Sequence, residues 1–156
     1  MSEARRITGV GLARRAREFA EAAEHLVTKE GLSPVSFVFL FLIGHALELA
    51  YKSILANLGA TEGSLKKIGH DLIKCREQTK AQFPGDLDTL EELGTDEILA
   101  MIGPYYKAKA FEYHTTGFYR LPGDPVQAAT ITSATVGKIA STRGHKYDYV
   151  STDWRP

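Results

Sequence analysis

The sequence predicts an all-α fold, an up-and-down bundle of four to five helices. Apolar residues recur at steps of three and four over several long stretches, as on the inner face of a helix. Ser, Asp, Gly and Pro stand where helix caps and stops are expected. No stretch alternates convincingly between apolar and polar residues; the closest, "TITSATV" at residues 130–136, follows a capped helix start.

Composition indicates one ordinary globular domain, residues 1–143, followed by an irregular tail, residues 144–156. The chain has 156 residues, a length typical of a single domain. The 19 basic and 19 acidic residues cancel, so no global charge draws the chain to nucleic acid or to an acidic membrane. The single cysteine, Cys75, cannot form a disulfide within the chain, and the N-terminus lacks an apolar signal segment. These features favour a cytoplasmic protein without a membrane partner.

The first helix is predicted over residues 11–29. Leu12, Ala16 and Phe19 begin an apolar stripe at three- and four-residue steps, with charged residues between them. Gly31 ends the helix.

The second helix has the clearest start and stop. Ser33 is its predicted N-cap, Pro34 its first residue and Gly59 its stop. Residues 35–43 are apolar on nearly every side and too short to span a bilayer. The pattern therefore indicates the central helix of the bundle.

The third helix is predicted to begin near Ser64 or His70 and to run to about Gln82. Leu72 and Ile73 give it a weak inner face, and the sequence Pro84-Gly85 breaks it.

The fourth helix is predicted over residues 87–102, in two pieces around Gly94. Asp96 is the predicted N-cap of the second piece, and Gly103-Pro104 interrupts the helix.

The last helix is predicted from Asp124, as N-cap, through Pro125 to about Ser141. An aromatic stretch, residues 105–125, precedes it and contains glycine and proline residues that are typical of loops.

A polar triplet follows the most apolar segment of the chain. His45, Glu48 and Lys52 are spaced to share one helix face. If exposed, the Glu48–Lys52 pair would contribute about 0.2–0.5 kcal/mol. The same face carries Phe41 and Val38, which are core-type residues, so the triplet is also compatible with a semi-buried polar seam.

Two further clusters contain titratable side chains that are candidates for a functional site. His70-Asp71 precedes a helical run, where Asp71 would serve as a cap, a role that leaves His70 unexplained. The other cluster lies in the aromatic stretch, where the alternative is packing plus a surface loop; it comprises Lys107, Lys109, Tyr113, His114 and Arg120.

Metal binding and nucleophilic catalysis are weakly supported. His45 and Glu48 form one reversed pair, whereas a di-metal site in a bundle uses two Glu-x-x-His pairs with further carboxylates. Cys75 has no evident partner, and no strand-turn-helix serine elbow is present. Neither a metal nor another cofactor is predicted.

Phosphate or nucleotide handling is the third chemistry. Lys52, Lys109 and Arg120 would meet phosphates, aromatic rings would stack on bases, and His114 would transfer protons.

The stretch "GHALELAYKSILANLG", followed closely by "KKIGHDLIKC", resembles the HEPN domain superfamily. These are small helical domains of prokaryotic toxin–antitoxin, nucleotidyltransferase-partner and defence systems. The resemblance covers roughly residues 35–75, and the matching residues are His45, Glu48, Leu49, Lys52, Gly59, His70, Asp71 and Leu72.

The resemblance implies a helical bundle that often forms a symmetric dimer and acts on RNA or nucleotides, beside a partner nucleotidyltransferase or antitoxin. Catalytic members are metal-independent ribonucleases with an Arg-x4-6-His motif, whose histidine is the acid or base while the RNA's own 2′-OH attacks. Here Lys109 and Lys107 take the places of the arginine before His114. Lysine lacks the bidentate fork of arginine.

The sequence therefore predicts a HEPN-like module that binds nucleotide or RNA without an intact ribonuclease motif. Glu48 and Asp71 would hold cationic groups in place, while Lys52 and Arg120 would meet phosphate. One alternative is a weak ribonuclease with His114 and Lys109 as catalytic residues, and another is a purely structural dimerisation or interaction module. The predicted ligand-binding residues are His45, Glu48, Lys52, His70, Asp71, Tyr113 and Arg120.

Overall fold

The computed structural model describes residues 7–27, 36–82, 87, 93–112 and 123–141. These residues form six helices and no strand, which confirms the all-α prediction for this part of the chain. The predictions for Tyr113, His114, Arg120 and the C-terminal tail lie outside the described residues. The helices are α1 (Gly9–Val27), α2 (Phe37–Asn57), α3 (Glu62–Ile68), α4 (Leu72–Gln82), α5 (Thr95–Lys107) and α6 (Pro125–Ala140).

Helix α2 is the centre of the fold, as predicted, because it contacts each of the other five helices. Its apolar side chains, among them Phe39, Ile43 and Leu47, are almost completely buried. The helix is long and apolar enough to cross a membrane, but 78% of its most apolar stretch is buried within the fold. Surrounding helices thus account for the apolar character of this segment on all sides.

Both described ends of α2 have capping geometry. Ser36 accepts a hydrogen bond from the Phe39 N–H at 3.3 Å and is the N-cap of the helix. Gly59 follows the last turn with a φ of 96°, which confirms it as the stop. The prediction that Ser33 caps this helix and that Pro34 is its first residue is wrong, because the helix begins at Phe37; Ser33 and Pro34 themselves lie outside the described residues.

The predicted third helix is two helices, α3 and α4, so the described part of the chain has six helices where four or five were predicted. Gly69 ends α3 with a φ of 63°, a conformation that glycine adopts without a steric penalty. Asp71 begins α4 by accepting a hydrogen bond from the Lys74 N–H at 3.0 Å, which confirms the predicted cap. His70 therefore lies in the turn between the two helices.

Two predictions for α5 are wrong. Asp96 is not the N-cap: it lies in the first turn and accepts a 2.6 Å hydrogen bond from Arg76, while Gly94 occupies the cap position. Pro104 does not end the helix, which continues to Lys107. A proline removes one helical hydrogen bond, and the buried packing of Tyr106 holds the following turn in place.

The C-terminus of α5 ends in a tight turn around Lys109, whose φ is 57°. Its N–H donates to the Tyr106 carbonyl at 2.9 Å, and the Ala110 N–H donates to the Tyr105 carbonyl at 2.9 Å. Glycine is the usual residue at this left-handed position. A lysine there costs roughly 1 kcal/mol relative to glycine.

Helices α1 and α6 pack on α2 from outside. Asp124 accepts hydrogen bonds from the N–H groups of Val126 and Gln127, which confirms the predicted start of α6 with Pro125 as its first residue. The buried face of α1 consists of small residues, which allow close approach to α2: Gly9, Ala13, Ala16, Ala20 and Ala23.

Cys75 lies on α4 and is completely buried. Burial raises the pKa of its thiol to about 12. The thiol is therefore protonated at neutral pH and is poorly nucleophilic.

Candidate functional site

Glu48 is the centre of a buried polar cluster and is 3% exposed. Its Oε1 accepts a hydrogen bond from Lys52 Nζ at 2.5 Å. Its Oε2 accepts hydrogen bonds from Tyr106 Oη at 2.6 Å and from His70 Nδ1 at 2.9 Å. Because a buried carboxylate is costly without partners, these three donors are what makes the position tolerable. We call this cluster the histidine seam; its members are His45, Glu48, Lys52, His70 and Tyr106.

The donors keep Glu48 ionised. Burial alone would raise the pKa of the carboxyl group, but hydrogen bonds from Lys52, Tyr106 and His70 outweigh it and hold the pKa below its ordinary value. The seam therefore contains a carboxylate at neutral pH.

Lys52 faces inward and is 8% exposed. Besides Glu48, its ammonium group donates to the Gly69 carbonyl at 2.7 Å. The left-handed backbone of Gly69 belongs to the turn between α3 and α4, so Lys52 ties this turn to the central helix. Two of the three N–H donors of Lys52 are thus used within the protein, and its side chain is buried, so the predicted contact with phosphate is not prepared by this geometry.

Tyr106 connects Glu48 to His45. Burial, followed by the neighbouring Glu48 carboxylate, raises the pKa of the Tyr106 hydroxyl, which stays protonated. Its single proton is donated to Glu48 Oε2, so its oxygen accepts a hydrogen bond from His45 Nδ1 at 2.9 Å. His45 is thereby fixed with a proton on Nδ1.

His45 lies among aromatic rings at the edge of the seam, with its side chain 25% exposed. Its ring is stacked on Phe41, with centroids 5.3 Å apart, and meets the edge of Phe19 at 4.5 Å. Burial lowers the pKa of His45, and nearby His70 and Lys52 lower it further against the opposing effect of Glu48. The ring is consequently neutral at pH 7.

Gly44 allows Tyr106 to reach the seam. A Cβ atom at position 44 would lie 2.5 Å from Cδ2 of the Tyr106 ring. Glycine in a helix interior is otherwise unfavourable, so the close approach of this ring explains it. Sequence reasoning missed both residues; the glycine within an apolar helical run was the available signal.

Asp71 forms a second ion pair beside the seam, with Lys107 Nζ 2.7 Å from its Oδ2. Although partial burial opposes the effect, the bond from Lys107 lowers the pKa of Asp71. Asp71 thus both caps α4 and holds a cation, the lysine at the end of α5.

The prediction of a semi-buried polar seam is confirmed in its geometry. The fold brings His45, Glu48, Lys52 and His70 together, with Asp71 next to them. Val38 is a correction: it lies in the first turn of α2 and is 61% exposed, so it does not extend the buried stripe.

The candidate catalytic residues are not assembled by the described part of the chain. Lys109 is exposed in the turn after α5, while Tyr113, His114 and Arg120 lie outside the described residues. Within the described ranges, no group of three or more potential ligands is placed to hold a metal ion. Both oxygens of Glu48 are occupied by protein donors instead.

No family model matches the chain, and no curated protein or solved structure matches it either.

Proposed function

We propose that the chain is a HEPN-like module that binds a nucleotide or RNA at the histidine seam. One observation carries the proposal: two histidines are bonded through Nδ1 to the same buried carboxylate–phenol pair, and each ring remains partly exposed. The exposed fractions are 25% for the His45 side chain and 33% for the His70 side chain. The hydrogen bonds hold both rings in place, and both side chains remain partly accessible to solvent.

The cost of the seam supports a role beyond stability. A buried ion pair is often no more stabilising than apolar residues of the same volume. Here Glu48 recruits donors from α2, from the turn after α3 and from α5. We infer that this arrangement serves to orient the two imidazoles.

The surroundings of the seam suit a phosphate-bearing ligand with an aromatic base. Phe41 offers a half-buried ring against His45, on which a base can stack. Lys109, exposed in the turn after α5, would add positive charge toward the ligand, whereas the charge of Lys107 is paired with Asp71. In this proposal Lys52 is structural, because its ammonium group is bonded within the protein.

Fluorescence anisotropy with a labelled ten-nucleotide RNA and a labelled nucleotide tests the proposal. We expect saturable binding by the wild type and at least tenfold weaker binding by the double variant His45→Ala/His70→Ala. His25→Ala is the matched control, because this histidine is exposed on α1, and it should bind as the wild type does. Absence of saturable wild-type binding at near-millimolar protein would contradict the proposal.

The HEPN resemblance also suggests the wider setting, which we propose with the same module. It would act in the cytoplasm as a homodimer, beside a partner nucleotidyltransferase or an antitoxin. Size-exclusion chromatography with light scattering tests the dimer directly.

A weak ribonuclease using His114 and Lys109 is the alternative, and the backbone at Lys109 favours it. A lysine held at a φ of 57° is a local strain of the kind that clusters at functional sites. Lys109→Gly should raise the free energy of unfolding by roughly 1 kcal/mol and yet abolish cleavage. Incubation with labelled mixed-sequence RNA, with and without chelator, measures this beside His114→Ala. Intact RNA with the wild type would rule out the enzyme.

A further inference from the structure

The hydrogen bonds of the seam determine where both histidines carry their protons. An ionised carboxylate only accepts, so His70 donates from Nδ1 to Glu48. Tyr106 gives its single proton to Glu48, so His45 donates from Nδ1 to the Tyr106 oxygen. In both rings Nε2 is therefore a lone pair when the ring is neutral and an N–H donor only when the ring is protonated.

The fixed charges closest to the histidines are balanced. Glu48 is paired with Lys52, and Asp71 is paired with Lys107. With both rings neutral, a phosphate approaching the Nε2 atoms would meet two lone pairs. A phosphate would therefore bind there most strongly when an imidazole supplies a proton and a positive charge.

Other charged and titratable groups lie on the elements packed around the rings. Glu112 favours a proton on His45, and burial of His45 opposes it more strongly. Helix α1 contributes the uncharged ring of Phe19. These elements carry Lys66 and Lys67 in the last turn of α3, Lys74 and Cys75 on α4, Tyr106 on α5 and Lys109 in the turn after it. Lys66 is paired with Glu62.

We propose that the histidine seam binds a phosphodiester with uptake of one proton, carried by His70 and presented to the ligand as Nε2–H. This inference rests on the proposed function. We assign the proton to His70 because a positive His70 ring donates directly to the Glu48 carboxylate, whereas His45 donates to the neutral phenol of Tyr106. Its side chain is also the more exposed, at 33% against 25%. A second proton on His45 would place two like charges around one carboxylate oxygen, so a single proton is taken up.

The test measures RNA affinity against pH. The probe is a labelled ten-nucleotide RNA with hydroxyl groups at its unlabelled end, because phosphodiesters, unlike terminal phosphates, do not titrate between pH 6 and pH 8. Ionic strength is kept constant, since phosphate contacts depend on salt. We expect the affinity to rise more than tenfold from pH 8 to pH 6, because the uptake of one proton changes the affinity about tenfold per pH unit while the free ring is neutral. Isothermal calorimetry at pH 8 in two buffers of different ionisation enthalpy should then count about one proton taken up.

Two variants locate the proton. His70→Asn keeps an N–H donor toward Glu48 but cannot ionise, so it should lose the pH dependence and bind the RNA more weakly than the wild type at both pH 6 and pH 8. His25→Asn should keep the wild-type slope. If His70→Asn fails to fold, the proton count on the wild type still decides the question.

The possible failures are distinguishable. Wild-type binding that is independent of pH would overturn the proton uptake and leave the proposed function standing. Affinity that rises with pH would indicate a seam that accepts hydrogen bonds, and it would overturn the inference. Loss of the slope in His45→Asn alone would place the proton on the other ring, against the proposal. Absence of binding at both pH 6 and pH 8 would overturn the inference together with the proposed function.

Discussion

Two groups of buried polar side chains in the described part of the core are built in different ways. Four threonines on α4, α5 and α6 are fully buried: Thr79, Thr95, Thr132 and Thr135. Three of them donate to carbonyl groups one turn earlier in their own helix, at 2.7–2.8 Å. The histidine seam instead joins charged groups from α2, the turn after α3, and α5.

The difference shows what each kind of polar group requires from the fold. A hydroxyl group finds an acceptor within its own helix, so it can be buried with little consequence for the rest of the chain. A buried carboxylate needs several donors, and distant segments must be positioned to supply them. Strongly shifted titration at such a place makes it a candidate site, whereas the threonine group is adequately explained by packing.

Removing the cation of the seam should have the largest effect. Lys52→Met leaves Glu48 buried without its ion pair, and the free energy of unfolding should fall by about 3–5 kcal/mol. Urea denaturation at pH 7 measures the loss. The double variant Glu48→Gln/Lys52→Met should recover much of it, because no uncompensated charge remains.

A loss below about 1 kcal/mol in Lys52→Met would mean that the pair is solvated, as surface pairs are. If Glu48→Gln lowers stability and leaves RNA binding unchanged, the seam is a structural element of an interaction module.

Acid should weaken the seam and leave the threonine group unaffected. The folded-state pKa of His45 lies below its unfolded value of 6.5, so stability falls as the pH drops through 6.5 toward the folded value. The folded-state pKa of Glu48 lies below its unfolded value of 4.5, so its stabilisation is present above pH 4.5 and is lost at lower pH, as the folded value is reached. Asp71 acts in the same direction. Urea denaturation from pH 7.5 to pH 4 should show this fall, and His45→Asn should flatten its upper part.

Two glycine variants, one on α2 and one on α6, test the close packing of Tyr106 in the histidine seam. Gly44→Ala drives a methyl group into Tyr106, and we expect it to destabilise the protein by about 1–3 kcal/mol. The control is Gly137→Ala on α6, where a Cβ atom meets nothing within 4 Å. It should stabilise by about 0.5–1 kcal/mol through helix propensity. Equal changes in melting temperature for the two variants would refute the close approach of Tyr106.

The smallest effect is expected in the threonine group. Thr132→Val removes a hydroxyl that donates to the Ala128 carbonyl at 2.8 Å, and that carbonyl can still accept the bond of the helix. The free energy of unfolding should change by less than about 1 kcal/mol in urea denaturation. A loss as large as that of Lys52→Met would erase the distinction between the two groups.

Local rules predicted the features that local interactions determine. The stop at Gly59, the caps at Asp71 and Asp124 and the central position of α2 follow from residues within a few positions of each other. The face shared by His45 and Glu48 likewise follows from helix geometry.

Features that depend on distant partners could not be predicted in this way. Tyr106 reaches Glu48 across 58 positions of the chain, and no local spacing encodes that contact. The rule that Pro104 stops a helix was overridden by tertiary packing, and Asp96 was drawn into an ion pair with Arg76 on another helix. The break at Gly69 was the exception, since a glycine before His-Asp was a readable signal.

Because Cys75 is buried, its reaction with alkylating reagents reports on the local opening of α4. Alkylating reagents attack the thiolate, and this thiol, with a pKa of about 12 and no solvent exposure, reacts only when α4 moves away from the core. Since the chain has a single cysteine, its alkylation rate measures how often α4 opens, and no engineered label is needed. Helix α4 begins just after His70, so the alkylation rate of Cys75 should fall when a ligand bound at the histidine seam stabilises this part of the fold.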